Sequence, residues 1–301
     1  MKDYYKKLIA RNDKLYFLMK SIRVFEEKLL ELYSNGYING TIHTYIGQEA
    51  NAVAIVSQLI DGDGIFSNHR CHGHFLVNTF NFQGLFAEIL GKVGAVCNGR
   101  GGSQHLHQGN FFSNGVQGSI VPNAAGFALS QKINKNNNIA IVFIGDGTLG
   151  QGVIYETMNI CSLWNIPLII ICENNGIAQT TETNFSIAGK IIDRAKSFNI
   201  DCLTSDTTDC EILYEEASKI IKNVREFQRP FFWEIKTIRL GPHSKGDDTR
   251  DSSYISSMKT IDPIQIIKNK VNNIDEIDNH IKLYIDEISK FVLDSNNVEE
   301  Y

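Results

Sequence analysis

The chain has 301 residues, 43% of them hydrophobic and 21% charged, with a formal net charge of −5. A globule of this size buries about three quarters of its unfolded surface, so a core needs neither disulfides nor metal, and the composition excludes disorder. With 29 Lys and Arg against 34 Asp and Glu there is no basic footprint for nucleic acid, and no apolar run approaches the ~20 residues that span a bilayer.

In chain order, residues 14–34 carry Leu15, Leu18, Ile22, Phe25, Leu29 and Leu32 at three- and four-residue steps, which predicts an amphipathic helix ended by Gly36. A second helix is expected from Gly47-Gln48-Glu49-Ala50 to about Leu59, then a turn at Asp61-Gly62-Asp63-Gly64. Residues 68–118 hold five of the eight histidines with little periodicity and read as long functional loops. Residues 139–144 and 167–173 are continuous apolar runs, the pattern of parallel strands covered on both faces. Helical spacing over 150–165 joins them into a β-α-β unit. A helix near 209–227, a strand near 231–238 and a helical region over about 262–295, with Asp262 as cap and Pro263 in its first turn, complete the series. The fold class is therefore α/β, a parallel sheet flanked by helices, and the whole of 1–301 reads as one domain. The six cysteines are irregularly spaced without a Cys-x-x-Cys pair, so reduced thiols in a cytoplasmic protein are expected. The N-terminal lysines precede no uninterrupted apolar segment, and no secretory signal is expected.

The strongest chemical feature is Gly145-Asp146-Gly147, followed after 26 residues by Asn174-Asn175. Asp146 would sit at the carboxyl end of one parallel strand and Asn175 at the end of the next, the edge at which open α/β sheets bind ligands. A carboxylate and an amide oxygen there are hard donors suited to Mg²⁺, which completes its shell with phosphate oxygens and water. The flanking glycines permit close approach of backbone to a phosphate. Taken alone, Asp146 could simply cap the following helix; the paired asparagines favour the ligand site.

This spacing resembles the thiamine-diphosphate signature. The stretch from Gln151-Gly152 through Glu156, Asn159 and Leu163-Trp164 to Asn175 resembles the alpha subunit of the first component of 2-oxo acid dehydrogenase complexes, of pyruvate dehydrogenase type. Four further segments agree in order: Gly47 to Ala50, Arg70-Cys71-His72-Gly73-His74, Gly99-Arg100-Gly101-Gly102-Ser103 and Gly115 to Pro122. A fifth runs from Arg239 to Asp248. The resemblance implies that Asp146, Asn175 and the backbone carbonyl of Ile177 ligate Mg²⁺. It implies that Gly145, Gly147, Thr148 and Arg70 meet the diphosphate, Arg70 through charge-assisted hydrogen bonds. The backbone near Gly115 and Gln117 would hold the aminopyrimidine. His243 would transfer protons and bind near diphosphate and substrate, and His72 would wall the active site. His69 departs from the family pattern, in which many members place Tyr before the arginine, so no diphosphate bond is carried over to it. The pairs His72/His74 and His105/His107 have a spacing open to zinc, a reading that the resemblance displaces.

The resemblance further implies oxidative decarboxylation of a 2-oxo acid, pyruvate by default, with reductive acylation of a lipoyl-bearing acyltransferase component. The glutamate that activates the aminopyrimidine comes in such enzymes from a beta subunit, in an α2β2 assembly. Two alternatives stand beside this: a decarboxylase or carboligase subunit in a specialised biosynthetic pathway, for example a sugar-modifying one, and a non-catalytic scaffold subunit.

Overall fold

The computed structural model describes residues 1–244, 248 and 250–299. Lys245, Gly246 and Asp247 of the Arg239–Asp248 segment lie outside the described residues, as do Thr249, Glu300 and Tyr301.

The strands are β1 (Gly64–Ser67), β2 (His107–Gln108), β3 (Phe111–Ser113), β4 (Ala140–Gly145), β5 (Leu168–Asn174), β6 (Ile177–Ala178), β7 (Thr181–Glu182), β8 (Asp201–Ser205) and β9 (Phe231–Lys236). Seven of them form one sheet in the order β2-β3-β1-β4-β5-β9-β8. Every pairing in it is parallel except β2 with β3. β6 and β7 form a separate antiparallel hairpin.

The apolar runs fit this sheet because helices cover both faces. Along β4, Ile141 and Phe143 face one core, and Ala140, Val142 and Ile144 face the other. The first core lies under helices Arg11–Ser34, Glu49–Val56, Cys210–Phe227 and Ile274–Leu293. The second lies under Ile120–Ile133, Gly152–Leu163 and Ile191–Ser197. Asp262 caps helix Pro263–Lys268, accepting from the Ile264 amide at 3.0 Å. Its carboxylate also receives two 3.0 Å bonds from Arg23, whose Nε donates to the buried Glu49 at 2.6 Å. One guanidinium thus ties the first long helix, the Gln48-Glu49 helix and the C-terminal region together.

Residues 68–118 differ from the expectation. They form helices His72–Thr79 and Phe82–Leu90 and strands β2 and β3. Order in the loop after residue 90 comes from Glu88. Its buried carboxylate accepts four backbone N–H bonds, from Cys97, Gly99, Gly101 and Gly102, at 2.7 to 3.1 Å. That gathering of donors 9 to 14 residues away leaves no periodic trace in the sequence.

Candidate functional site

After β1 the chain moves to one side, to β3, and then returns to the other side for β4. Such a reversal leaves a crevice at the carboxyl ends of the strands. Here it is a cleft of about 330 Å³, into which the segments after β1, β3, β4, β5 and β9 all project.

Asp146 follows β4 and is 1% exposed. Burial pushes its carboxyl up, offset in part by the Thr183 hydroxyl, the Asp146 and Gly147 amides and the charge of Arg239. Thr183 donates to its Oδ2. Among the described residues Asp146 forms no ion pair. Register places β4 and β5 side by side as far as Gly145 opposite Glu173, so Asn175 stands just past the neighbouring strand end. Its Nδ2 donates to Gln48 Oε1 at 3.4 Å and its Oδ1 accepts from the Ile177 amide at 3.1 Å. Asn174 is differently employed: it bonds Glu234 at 2.9 Å and accepts from the Gly176 amide at 3.0 Å, shaping the turn in which Gly176 has φ +79°.

The glycines have separate reasons. A Cβ on Gly147 would lie 2.5 Å from the Ala178 Cβ, so the hairpin carrying Ile177 can approach only a glycine there. A Cβ on Gly145 would meet nothing within 4 Å, yet Gly145 lines the cleft. Its backbone is thus open to a ligand.

Arg70 follows β1 and is 5% exposed. Its guanidinium donates to the Thr44 carbonyl at 2.9 Å and the His243 carbonyl at 3.0 Å, and faces His243 Nδ1 at 3.1 Å. These guanidinium partners are two carbonyls and an imidazole rather than a carboxylate. Burial, then Arg239, push its pKa down to about 9, with Glu26 and Glu173 acting the other way. A guanidinium stays protonated in proteins, so the shift means a charge that an anion in the cleft would relieve.

Thr148 donates to Gln117 Oε1 at 2.6 Å, and Gln117 Nε2 meets His69 Nδ1 at 2.7 Å. Gly115 and His243 also line the cleft. The structure therefore gathers Arg70, Gly115, Gln117, Gly145, Asp146, Gly147, Thr148, Asn175, Ile177 and His243 around one opening.

His72 is a correction. It is fully buried and is not among the residues lining the cleft. Its Nδ1 faces the buried Glu26 carboxylate at 3.1 Å and its Nε2 the Ser103 carbonyl at 3.1 Å, which hold it in the core. Nor does either i, i+2 pair form a metal cluster: His74 is buried between Ser67 Oγ and Tyr45 OH, each at 2.9 Å. Among the described residues the grouping with metal-like spacing is His43, His69 and His243. His43, Gln48, Gln104, Glu173 and Arg239 line the cleft without having been singled out as site residues. For Gln48 and Arg239 a signal exists in the sequence, since both sit in the motif segments at residues 47–50 and 239–248.

An implied diphosphate and Mg²⁺ fit what is here. Asp146, Asn175 and the Ile177 carbonyl form an all-oxygen donor set. Among the described residues the buried carboxylate has no ion pair, and the backbone at Gly145 is open. The buried guanidinium of Arg70 is positioned for a phosphate.

Comparison with known proteins agrees. Residues 18–297 match the family described as "Dehydrogenase E1 component". The alpha subunit of acetoin:2,6-dichlorophenolindophenol oxidoreductase from Bacillus subtilis is 34% identical over 295 residues, covering 93% of this chain and 88% of the relative. The same subunit from Cupriavidus necator is 39% identical over 237 residues, covering 77% and 71%. The pyruvate dehydrogenase E1 component subunit alpha of Rickettsia felis is 32% identical over 287 residues, covering 91% and 88%. The chain belongs to the dehydrogenase E1 component family, as an alpha subunit of the thiamine-diphosphate-dependent 2-oxo acid dehydrogenases.

Proposed function

We propose that this chain, as one domain, is the diphosphate- and Mg²⁺-binding half of an active site completed by a beta subunit in an α2β2 assembly. The enzyme cleaves a small 2-oxo acid, pyruvate by default, and passes the acyl group to a lipoyl-bearing acyltransferase component. The observation that carries this reading is the buried Asp146 carboxylate, in no ion pair among the described residues, beside Asn175 at adjacent strand ends and in the same cleft as the buried guanidinium of Arg70.

Bound thiamine diphosphate supplies a nucleophilic carbon and an electron sink for carbon–carbon cleavage. The chain's own groups then have distinct tasks. Asp146, Asn175 and the Ile177 carbonyl hold Mg²⁺, while Gly147, Thr148 and Arg70 meet the diphosphate. The backbone at Gly115 and Gln117 holds the aminopyrimidine. His243, beside Arg70, moves a proton near the substrate. The activating glutamate belongs to the beta subunit, so the isolated chain is silent. A cytoplasmic location is supported by six free cysteines, four of them buried.

Acetoin, an α-hydroxyketone, is the second substrate reading, favoured by the two relatives named for it. The test is to co-purify the chain with its beta subunit and to assay pyruvate, branched-chain 2-oxo acids and acetoin. Each is run with a dye acceptor and with a lipoyl domain. Turnover of one of these by the pair, and none by the chain alone, is expected. Turnover by the chain alone would overturn the assignment.

A further inference from the structure

We infer that Thr183 is a positioning residue for the cation site: its hydroxyl holds the Asp146 carboxylate in the orientation that meets Mg²⁺, and its backbone ties that carboxylate to the loop carrying Asn175 and Ile177. The inference rests on the Mg²⁺ and diphosphate reading above. It adds a residue from outside the sequence segments that carry that reading.

Three contacts place Thr183. β6 and β7 pair Ile177 with Glu182, so the residue after β7 returns beside the residue before β6. There the Thr183 amide donates to the carbonyl of Gly176, which stands between Asn175 and Ile177, at 3.0 Å. The Thr183 carbonyl accepts from the Ile187 amide at 2.8 Å, and Ile187, buried in the second core, anchors the turn. The side chain reaches across to the neighbouring strand end, where its hydroxyl donates to Asp146 Oδ2. Ala178 closes on Gly147 alongside, in a space that only a glycine leaves open.

An ionised carboxylate only accepts, so the hydroxyl is the donor. The turn that carries Asp146 supplies two more donors, the Asp146 and Gly147 amides. A carboxylate has about four acceptor sites, so three donors leave one for a cation. Mg²⁺ demands near-ideal octahedral geometry at about 2.0–2.1 Å, which makes the aim of that one site decisive. The two amides belong to Asp146's own turn, whereas the Thr183 hydroxyl spans two loops and so sets Asp146 relative to the Asn175–Ile177 segment. Partners of this kind orient a ligating group, and losing one typically costs about 10- to 100-fold in metal affinity. A hydroxyl that competed with the cation for the carboxylate would have the opposite effect: its removal would tighten Mg²⁺ binding.

The experiment measures thiamine diphosphate binding by calorimetry over a series of Mg²⁺ concentrations, for the chain assembled with its beta subunit, in wild type, Thr183→Val and Thr183→Ser. Valine keeps the shape and removes the donor; serine keeps the donor. Thr183→Val is expected to need about 10- to 100-fold more Mg²⁺ for half-saturation, yet to bind the cofactor as wild type does once Mg²⁺ is saturating. Thr183→Ser is expected to stay near wild type. An unchanged or lower Mg²⁺ requirement in Thr183→Val would overturn the inference, as would a serine variant no better than the valine one. Cofactor binding lost in Thr183→Val at every Mg²⁺ concentration would also overturn it, since that marks a damaged hairpin rather than a misaimed carboxylate. Wild type that binds thiamine diphosphate equally well in EDTA would overturn the Mg²⁺ reading itself.

Discussion

Replacing Arg70 with methionine should separate binding from folding. The charge of Arg70 is opposed by burial and then by Arg239, which lower its pKa from 12.5 to about 9. That corresponds to a penalty of about 5 kcal/mol on the charged form. Against it stand the bonds to the Thr44 and His243 carbonyls and the contact with His243 Nδ1, at 2.9 to 3.1 Å. Hydrogen bonds to charged groups contribute about 1.5–3 kcal/mol each. The terms nearly cancel, and the methionine stem keeps most of the apolar packing. Arg70→Met should therefore leave the ligand-free chain within about 2 kcal/mol of wild type. The ligand-bound state should differ. At a hundredfold excess over Kd, wild type gains about 2.7 kcal/mol from a bound ligand, and the variant should gain almost nothing. The assay is urea unfolding with and without Mg²⁺-pyrophosphate, at ligand levels saturating for wild type. A variant destabilised by more than about 4 kcal/mol without ligand, or still stabilised by it, would refute the reasoning.

Arg23→Ala should cost about 3–5 kcal/mol, because it strands the buried Glu49 and uncaps the junction with Asp262; urea midpoints report this. In the native chain a thiol reagent at pH 8 should titrate Cys97 and Cys202 before the other four, which are buried. Burial raises the pKa of Cys71 and of Cys161 to about 12, so their reactive thiolates are scarce at that pH; all six should react in denaturant. His243→Ala, assembled with the beta subunit, should still bind thiamine diphosphate but turn over about 10²–10⁴-fold more slowly, the loss being larger with lipoyl domain than with dye acceptor.

The parts of this fold that were legible share a physical cause. β4 and β5 are covered on both faces, so residues 140–144 and 168–172 are all apolar, and Gly145-Asp146 and Asn174-Asn175 mark the strand ends in plain sequence. Helix Arg11–Ser34 was legible because one stripe of it meets the core. Edge strand β8 was missed because it is mostly exposed or half-buried and lacks that run. Helix Ile120–Ile133 was missed because Pro122, Gly126 and alternating small residues dilute its apolar face. The misplacement of His72 has a different source. Its partners Glu26 and Ser103 lie 46 and 31 residues away, and nothing local distinguishes a histidine drawn into the core from one facing a ligand. The same distance hid the cleft residues His43 and Gln104, which the fold brings to the strand ends from separate segments.

The central claim is that the ends of β4 and β5 hold Mg²⁺ for a diphosphate. Calorimetry of thiamine diphosphate binding to the chain assembled with its beta subunit, with Mg²⁺ and with EDTA, tests it most directly when wild type is set beside Asp146→Ala. Binding that requires Mg²⁺ in wild type and disappears in the variant, at an unchanged melting temperature, is the expected result. Equal affinity in the two proteins would contradict the account.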